Sequence, residues 1–153
     1  FWPVPLDNPK LAQVAIVVRD IAAASARWAE LLGQPVPNVI ETAPGLECRA
    51  DYRGVPTDAR AKLAFLNLGG GVQLELIEPI GEDSAWAEGL AEKGERLHHI
   101  AFHTADPQAA DDAIGAPRSM RGDMGERGEY AYYDGAAAGL GATIEILSND
   151  AKR

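Results

Sequence analysis

Apolar positions recur at two different periods along the chain, and each change of period marks the edge of an element. Leu11 to Arg19 is rich in Val and Ile and alternates as a strand should. It runs into Asp20, an N-cap for the Ala-rich stretch Ile21 to Leu32, which Gly33 and Pro35 end. A strand followed by a helix is expected there. After a loop-rich region come strands at Glu47 to Tyr52, at Lys62 to Leu68 before a run of glycines, and at Val72 to Glu78, which Pro79 is expected to stop. Ser84 caps a short helix reaching Lys93, with Gly94 as its stop, and Leu97 to Thr104 reads as a strand. Asp106 and Pro107 start a second short helix as N-cap and first helical residue. A glycine-rich loop, a strand at Glu129 to Tyr133, a turn and a strand at Ala142 to Leu147 complete the pattern.

The pattern occurs twice. Gln13 set over His99, 86 residues on, places Val14-Ala15-Ile16 on Ile100-Ala101-Phe102, Asp20 on Asp106 and Ala23-Ala24 on Ala109-Ala110. Near the end of each half, Leu74-Glu75-Leu76-Ile77 matches Ile144-Glu145-Ile146-Leu147, 70 residues on. The chain therefore reads as one domain over residues 11–148, made of two modules at about 11–80 and 97–148. An extended, proline-bearing arm over 1–10 precedes it and a tail over 149–153 follows.

Strand parity gives the repeat a chemistry. Alternate residues face opposite sides of a sheet, and one parity is uniformly large and apolar: Val14, Ile16 and Val18; Leu74 and Leu76; Ile100 and Phe102; Ile144 and Ile146. Those are expected to pack against helices. The other parity carries Gln13, Glu75, His99 and Glu145, each in mid-strand. A buried, unpaired carboxylate loses several kcal/mol of solvation. Two of them on one concave face with a neutral imidazole and an amide oxygen call for a cation, and one divalent metal ion meets that need. His98, of the opposite parity, reads as structural or as support to the site. His103, farther along the same parity as His99, reads as a substrate-binding residue that lines the cavity without ligating.

Composition narrows the partners. Of 153 residues, 23 are acidic and 14 basic, a net charge of −9, which argues against a surface built to neutralise nucleic-acid phosphates. With 46% hydrophobic residues the chain lies in the ordinary globular range. Cys48 is the only cysteine, so no intrachain disulfide forms and a reducing compartment, the cytoplasm, is expected. No apolar run approaches the roughly 18 residues of a membrane span, and the N-terminus lacks the charged-then-apolar pattern of a signal peptide. The opening Phe1 reads as processing or trimming, with a removed leader left open.

Four segments together resemble the vicinal oxygen chelate superfamily: Gln13-Val14-Ala15-Ile16-Val17-Val18-Arg19-Asp20; Leu74-Glu75-Leu76-Ile77-Glu78-Pro79 with Gly81-Glu82-Asp83-Ser84; Leu97-His98-His99-Ile100-Ala101-Phe102; and Thr143-Ile144-Glu145-Ile146-Leu147. That superfamily includes glyoxalase I, methylmalonyl-CoA epimerase, extradiol dioxygenases and antibiotic-resistance proteins. The resemblance implies an α+β fold of two βαβββ modules forming a cup-shaped mixed sheet with helices on the outer face. It also implies a divalent ion (Zn, Co, Ni or Mn) held by Gln13, Glu75, His99 and Glu145, and a homodimer. The middle segment most resembles methylmalonyl-CoA epimerases. The ligand set, with Gln13 where those enzymes commonly have His, resembles some glyoxalase I enzymes instead. The epimerase mechanism also wants a second acid/base, for which Glu47 is the candidate.

Three oxygens and one nitrogen suit a six-coordinate divalent ion with positions left for adjacent substrate oxygens. Chelation there polarises a carbonyl and stabilises the enolate formed when the neighbouring carbon loses its proton. Glu145 is expected to take that proton, with Glu75 next in line to return it. Three readings stay open: an epimerase of a 2-substituted malonyl- or related acyl-CoA; a glyoxalase-type lyase or isomerase acting on a hemithioacetal or another chelatable carbonyl compound; and a non-catalytic module that sequesters a small molecule. For the phosphates of an acyl-CoA, Arg49, Arg53, Arg60, Lys62, Arg118, Arg121 and Arg127 stand in or near expected loops.

Overall fold

In the computed structural model, which describes residues 6–125 and 128–149, strand β1 (Leu11–Val17) leads through Asp20 into helix α1 (Ile21–Leu32). The Asp20 carboxylate accepts from the Ala23 backbone N–H at 3.1 Å, and Gly33 closes the helix at φ 66°, a left-handed conformation glycine adopts without steric cost. The first half continues with β2 (Ile40–Glu41), the hairpin β3 (Asp51–Tyr52) and β4 (Val55–Pro56), and the long antiparallel pair β5 (Arg60–Gly69) and β6 (Val72–Ile80). Two single turns, α2 (Ala85–Glu88) and α3 (Leu90–Lys93), connect it to β7 (Arg96–Thr104), α4 (Pro107–Ile114), β8 (Arg118–Asp123), β9 (Gly128–Tyr133), α5 (Gly135–Ala138) and β10 (Ile144–Asn149). Phe1 to Pro5, the start of the expected arm, lie outside the described residues. Among the described residues no helix is long and apolar enough to cross a membrane.

The ten strands among the described residues form one curled mixed sheet in the order β2-β5-β6-β1-β7-β10-β9-β8-β3-β4, the half-barrel of two βαβββ modules expected from the resemblance. β1 and β7 are antiparallel at its centre, and each lies parallel to the last strand of its own module, β6 and β10. An approximate twofold axis between β1 and β7 therefore relates the modules. It extends even to the irregularities: an extra residue interrupts the β1–β7 ladder at Ala12, between Leu11 and Gln13, and again at His98, 86 residues later. The β3–β4 hairpin breaks the symmetry by leaving the first module to pair with β8 at the far edge of the second.

The large apolar parity faces the long helices as expected. Ile21 and Ala29 of α1 pack on Val18, Leu66, Leu74 and Leu76, and Ala110 of α4 packs on Ala131, Tyr133, Ile144 and Ile146. The opposite face has a core of its own, in which Ala15, Ala61, Ile77, Met120 and Tyr132 meet Ala85 and Trp86. Thus α1 and α4 lie on the outer face, whereas α2 packs inside the cup.

Several boundaries differ from expectation for identifiable reasons. β6 runs through Pro79 because β1 pairs with it only as far as Ile77, so the missing N–H of Pro79 falls where no neighbouring strand needs it. The helix expected from Ser84 to Lys93 is split at Gly89, where a Cβ would overlap the Arg96 guanidinium. The strand expected at Glu47 to Tyr52 shrinks to Asp51–Tyr52 because residues 44–50 wind into turns, with the Ala50 N–H donating to the Gly45 carbonyl at 2.8 Å. β8 emerges from the stretch read as loop, its Gly122 leaving room for the Tyr130 ring.

Candidate metal centre

The central strands set four polar residues around a floor of two methyl groups. Ala15 on β1 stands level with Glu75 on β6 and His99 on β7, while Ala101 on β7 stands level with Gln13 on β1 and Glu145 on β10. Both alanines are wholly buried. The twofold axis exchanges Ala15 with Ala101, Gln13 with His99 and Glu75 with Glu145.

Glu75, His99 and Glu145 each bring one ligand atom to within 4.8 Å of the other two. His99 Nε2 lies 3.4 Å from Glu75 Oε1 and 3.1 Å from Glu145 Oε1, and among the described residues none of the three atoms has a partner in full hydrogen-bond geometry. All three residues are buried, with exposures of 7%, 3% and 4% respectively. An unsatisfied buried polar group costs about 1–3 kcal/mol, and an ionised one more. Only a cation accepts electron pairs from all three atoms at once, and this oxygen-rich donor set with one imidazole is of the kind divalent ions take. The residues fit such an ion. Burial by itself would lower the pKa of His99, but the Glu145 and Glu75 carboxylates outweigh it and hold the imidazole up at about 9. Burial, helped by the charge of Glu145, raises Glu75 above the usual carboxylate range.

His98 departs from its expected place. Strand parity put it on the opposite face, but the bulge at this residue turns its ring inward, so that Nδ1 lies 2.8 Å from His99 Nδ1 and Nε2 lies 2.8 Å from the Ala85 carbonyl oxygen. Burial, and then the neighbouring His99 charge, push its pKa down to about 4. Tyr132 covers both rings, edge-on to His98 at 5.5 Å and tilted on His99 at 4.9 Å between centroids. The Tyr132 hydroxyl in turn accepts from Trp86 Nε1 at 2.9 Å. Sequence reasoning missed Tyr132, Trp86 and the Ala85 carbonyl. The doublet His98-His99 within an otherwise alternating strand was the one local signal of the bulge.

Gln13 occupies the place the twofold axis assigns it, half-buried on the ligand face, and its Nε2 donates to Gln73 Oε1 at 3.1 Å. His103 shares the face of His99 but is exposed and stands level with Leu147, beyond Glu145. Glu47 is exposed in the turns before β3. The cations considered for phosphate contacts are engaged with acids. Arg49 pairs with Asp123 at 2.6 Å, Arg60 with Glu41 at 2.7 Å, Lys62 with Glu78 at 3.3 Å, and Arg53 with Glu88. Arg118 pairs with Asp111 at 3.1 Å, and Arg121 with Asp123 at 2.7 Å and Glu129 at 2.5 Å; Arg127 lies outside the described residues.

The family model of the glyoxalase/bleomycin resistance protein/dioxygenase superfamily matches residues 12–118. No curated protein matches the sequence. Among solved structures, a variant of Streptomyces coelicolor methylmalonyl-CoA epimerase in complex with 2-nitronate-propionyl-CoA superposes with a TM-score of 0.63 at 23% identity, over 94% of this chain and 99% of that one. The methylmalonyl-CoA epimerase from Mycobacterium tuberculosis gives 0.61 at 18% identity, over 97% and 92%. A methylmalonyl-CoA epimerase in complex with methylmalonyl-CoA and ammonium gives 0.61 at 24% identity, over 94% and 96%. Likeness at these identities establishes the fold.

Proposed function

The chain belongs to the glyoxalase/bleomycin resistance protein/dioxygenase superfamily, and on that footing we propose that it is a divalent-metal-dependent enzyme abstracting a proton next to a chelated carbonyl, an isomerase of the methylmalonyl-CoA epimerase kind. The observation that carries this reading is the convergence of Glu75, His99 and Glu145, three buried residues whose facing atoms have no partner in full hydrogen-bond geometry among the described residues. The epimerase structures of the same fold, two of them with acyl-CoA ligands, support the substrate class.

In this reading Glu75, His99 and Glu145 hold the ion, with Gln13 as the fourth ligand from the twofold-related position. The ion supplies Lewis-acid polarisation of the chelated carbonyl when bound. A carboxylate oxygen of Glu145 takes the substrate's α-proton, and Glu75, on the twofold-related strand, returns one. Tyr132 and Trp86 keep water from the imidazole side. His103, exposed on the same face, contacts the substrate. A cytoplasmic homodimer goes with this reading, and light scattering measures the assembly. A glyoxalase-type lyase acting on a hemithioacetal is the second reading, favoured by an amide rather than an imidazole at Gln13.

The test is elemental analysis of protein purified without added metal, followed by a deuterium-exchange screen of methylmalonyl-CoA against a hemithioacetal. Metal-dependent exchange of the methylmalonyl-CoA α-proton is expected, and exchange in the hemithioacetal alone selects the lyase. Exchange in neither with metal-loaded protein overturns the enzymatic reading and leaves a module that sequesters a small molecule.

A further inference from the structure

The bulge that turns His98 into the cup creates a chain of polar contacts ending at the ligand atom of His99. The Ala85 carbonyl, 2.8 Å from His98 Nε2, is only an acceptor, so that nitrogen carries the hydrogen. The described partners of His98 are this carbonyl, the His99 imidazole and the Tyr132 ring, none of them an anion, so the neutral ring is the form that fits. A neutral ring protonated at Nε2 presents a lone pair at Nδ1, and His99 Nδ1 is 2.8 Å away. That contact requires a hydrogen on His99 Nδ1, which leaves Nε2 of a neutral His99 with its lone pair toward Glu75 and Glu145.

We infer that His98 is a positioning residue that fixes the tautomer of His99, presenting an electron pair rather than a proton to the ion. The inference rests on the metal reading of the site. Two further observations carry it. The twofold-related bulge residue in the first module is Ala12, beside Gln13, and an amide oxygen has no tautomer to fix; the imidazole stands only where the ligand is an imidazole. Ala85 is itself held in place: its N–H donates to Met120 Sδ at 3.4 Å, and the Ser84 hydroxyl caps the turn by accepting from the Ala87 N–H at 3.1 Å. The first turn of the connector between modules is thereby tied to the ligand atom through two rings.

The test combines a spectrum and a binding constant. In metal-free protein labelled at the imidazole nitrogens, His98 is expected as the neutral Nε2–H tautomer. The Nδ1–H tautomer overturns the proposal. His98→Phe is expected to weaken zinc binding, read by chelator competition, by about 10- to 100-fold, the usual effect of removing a ligand's orienting partner. His98→Asn, whose Oδ1 takes the place of Nδ1 as acceptor, is expected to restore most of that loss. If His98→Phe does not fold, His98→Gln replaces it, keeping a donor for Ala85 while moving the acceptor away. Affinity unchanged in these variants, or His98→Asn as weak as His98→Phe, overturns the proposal. If the unsubstituted protein binds no metal while His98 shows the Nε2–H tautomer, the metal reading has failed and the ring-to-ring hydrogen bond stands.

Discussion

Gln13 and His99 face each other diagonally across the β1–β7 pair, Gln13 level with Ala101 and His99 level with Ala15, so the axis that exchanges the two modules exchanges these two residues. Diagonal neighbours on one sheet face stand roughly 7–8 Å apart, within reach of a long side chain. The Gln13 amide donates to Gln73 from the same face of the sheet. Gln13→Ala is therefore expected to weaken metal binding by about tenfold or more, at least the effect of losing an orienting partner, while Gln13→His retains binding. Competition titration against a chelator measures both. Unchanged affinity in Gln13→Ala would leave the ion with three protein ligands and make the Gln13–Gln73 bond a structural one.

Glu145 and Glu75 are related by the same axis and both approach His99 Nε2, but the shorter distance belongs to Glu145, at 3.1 Å against 3.4 Å. Glu145→Gln keeps an oxygen donor in the site and removes the base. With metal retained, exchange of the substrate α-proton into deuterated solvent is expected to fall by about 10²–10⁴, the contribution of a positioned base. Glu75→Gln is expected to retain more of that exchange while losing turnover. Undiminished exchange in metal-loaded Glu145→Gln rules out its assignment as the base.

Strand and helix identities at the centre of the sheet were legible because they rest on local physics. Asp20 and Asp106 cap helices within their own turn, and the alternation of Val14, Ile16, Leu74 and Leu76 against Gln13 and Glu75 records which face is covered by α1. The convergence of Glu75, His99 and Glu145 was legible through duplication, since a repeated module places equivalent residues about an axis. What sequence did not carry was long-range. The two-residue strand β4 has no pattern of its own, and of the strand expected at Glu47 to Tyr52 only β3 forms; both sit where the far edge of the second module accepts them beside β8. The inward turn of His98 violates period-two alternation, which the His98-His99 doublet only hints at, and the pairing of Ala15 with His99 and of Ile16 with Leu97 establishes the extra residue between them. Trp86 fell within the helix expected from Ser84, but a single turn has no periodicity to show that its indole faces the cup.

Proton and metal compete for His99, which gives affinity a definite pH dependence. Its imidazole is held at about 9 in the metal-free site against an ordinary 6.5, so below 9 binding must expel a proton. Apparent affinity is expected to rise with pH between 7 and 9, by up to about tenfold per unit, and to level off above. The stability of the metal-free protein runs the other way. A base with a raised folded-state pKa contributes stability that is complete below 6.5 and lost as pH rises through 9, and the raised Glu75 acts in the same sense. His98, depressed to about 4, removes stability as pH falls from 6.5 toward 4. Thermal melts with and without metal are expected to separate more widely at pH 9 than at pH 6. A separation that does not grow with pH would mean that His99 releases no proton on binding.

Trp86 and Tyr132 tie the connector to the wall of the site. The indole is 5% exposed and the phenol 2%, and the hydrogen bond from Trp86 Nε1 to the Tyr132 oxygen is 2.9 Å long. Trp86→Phe removes the donor and leaves a buried hydroxyl without it, at a cost of about 1–3 kcal/mol in addition to the lost ring volume. Because Tyr132 lies 4.9 Å from the His99 ring, metal affinity is expected to weaken together with stability. Tyr132→Phe removes the other partner, so the double variant is expected to lose less in urea unfolding than the two single losses combined, the mark of groups in contact. Strictly additive losses would mean that the indole and the phenol stabilise the wall independently, and that Trp86 does not act on the site through Tyr132.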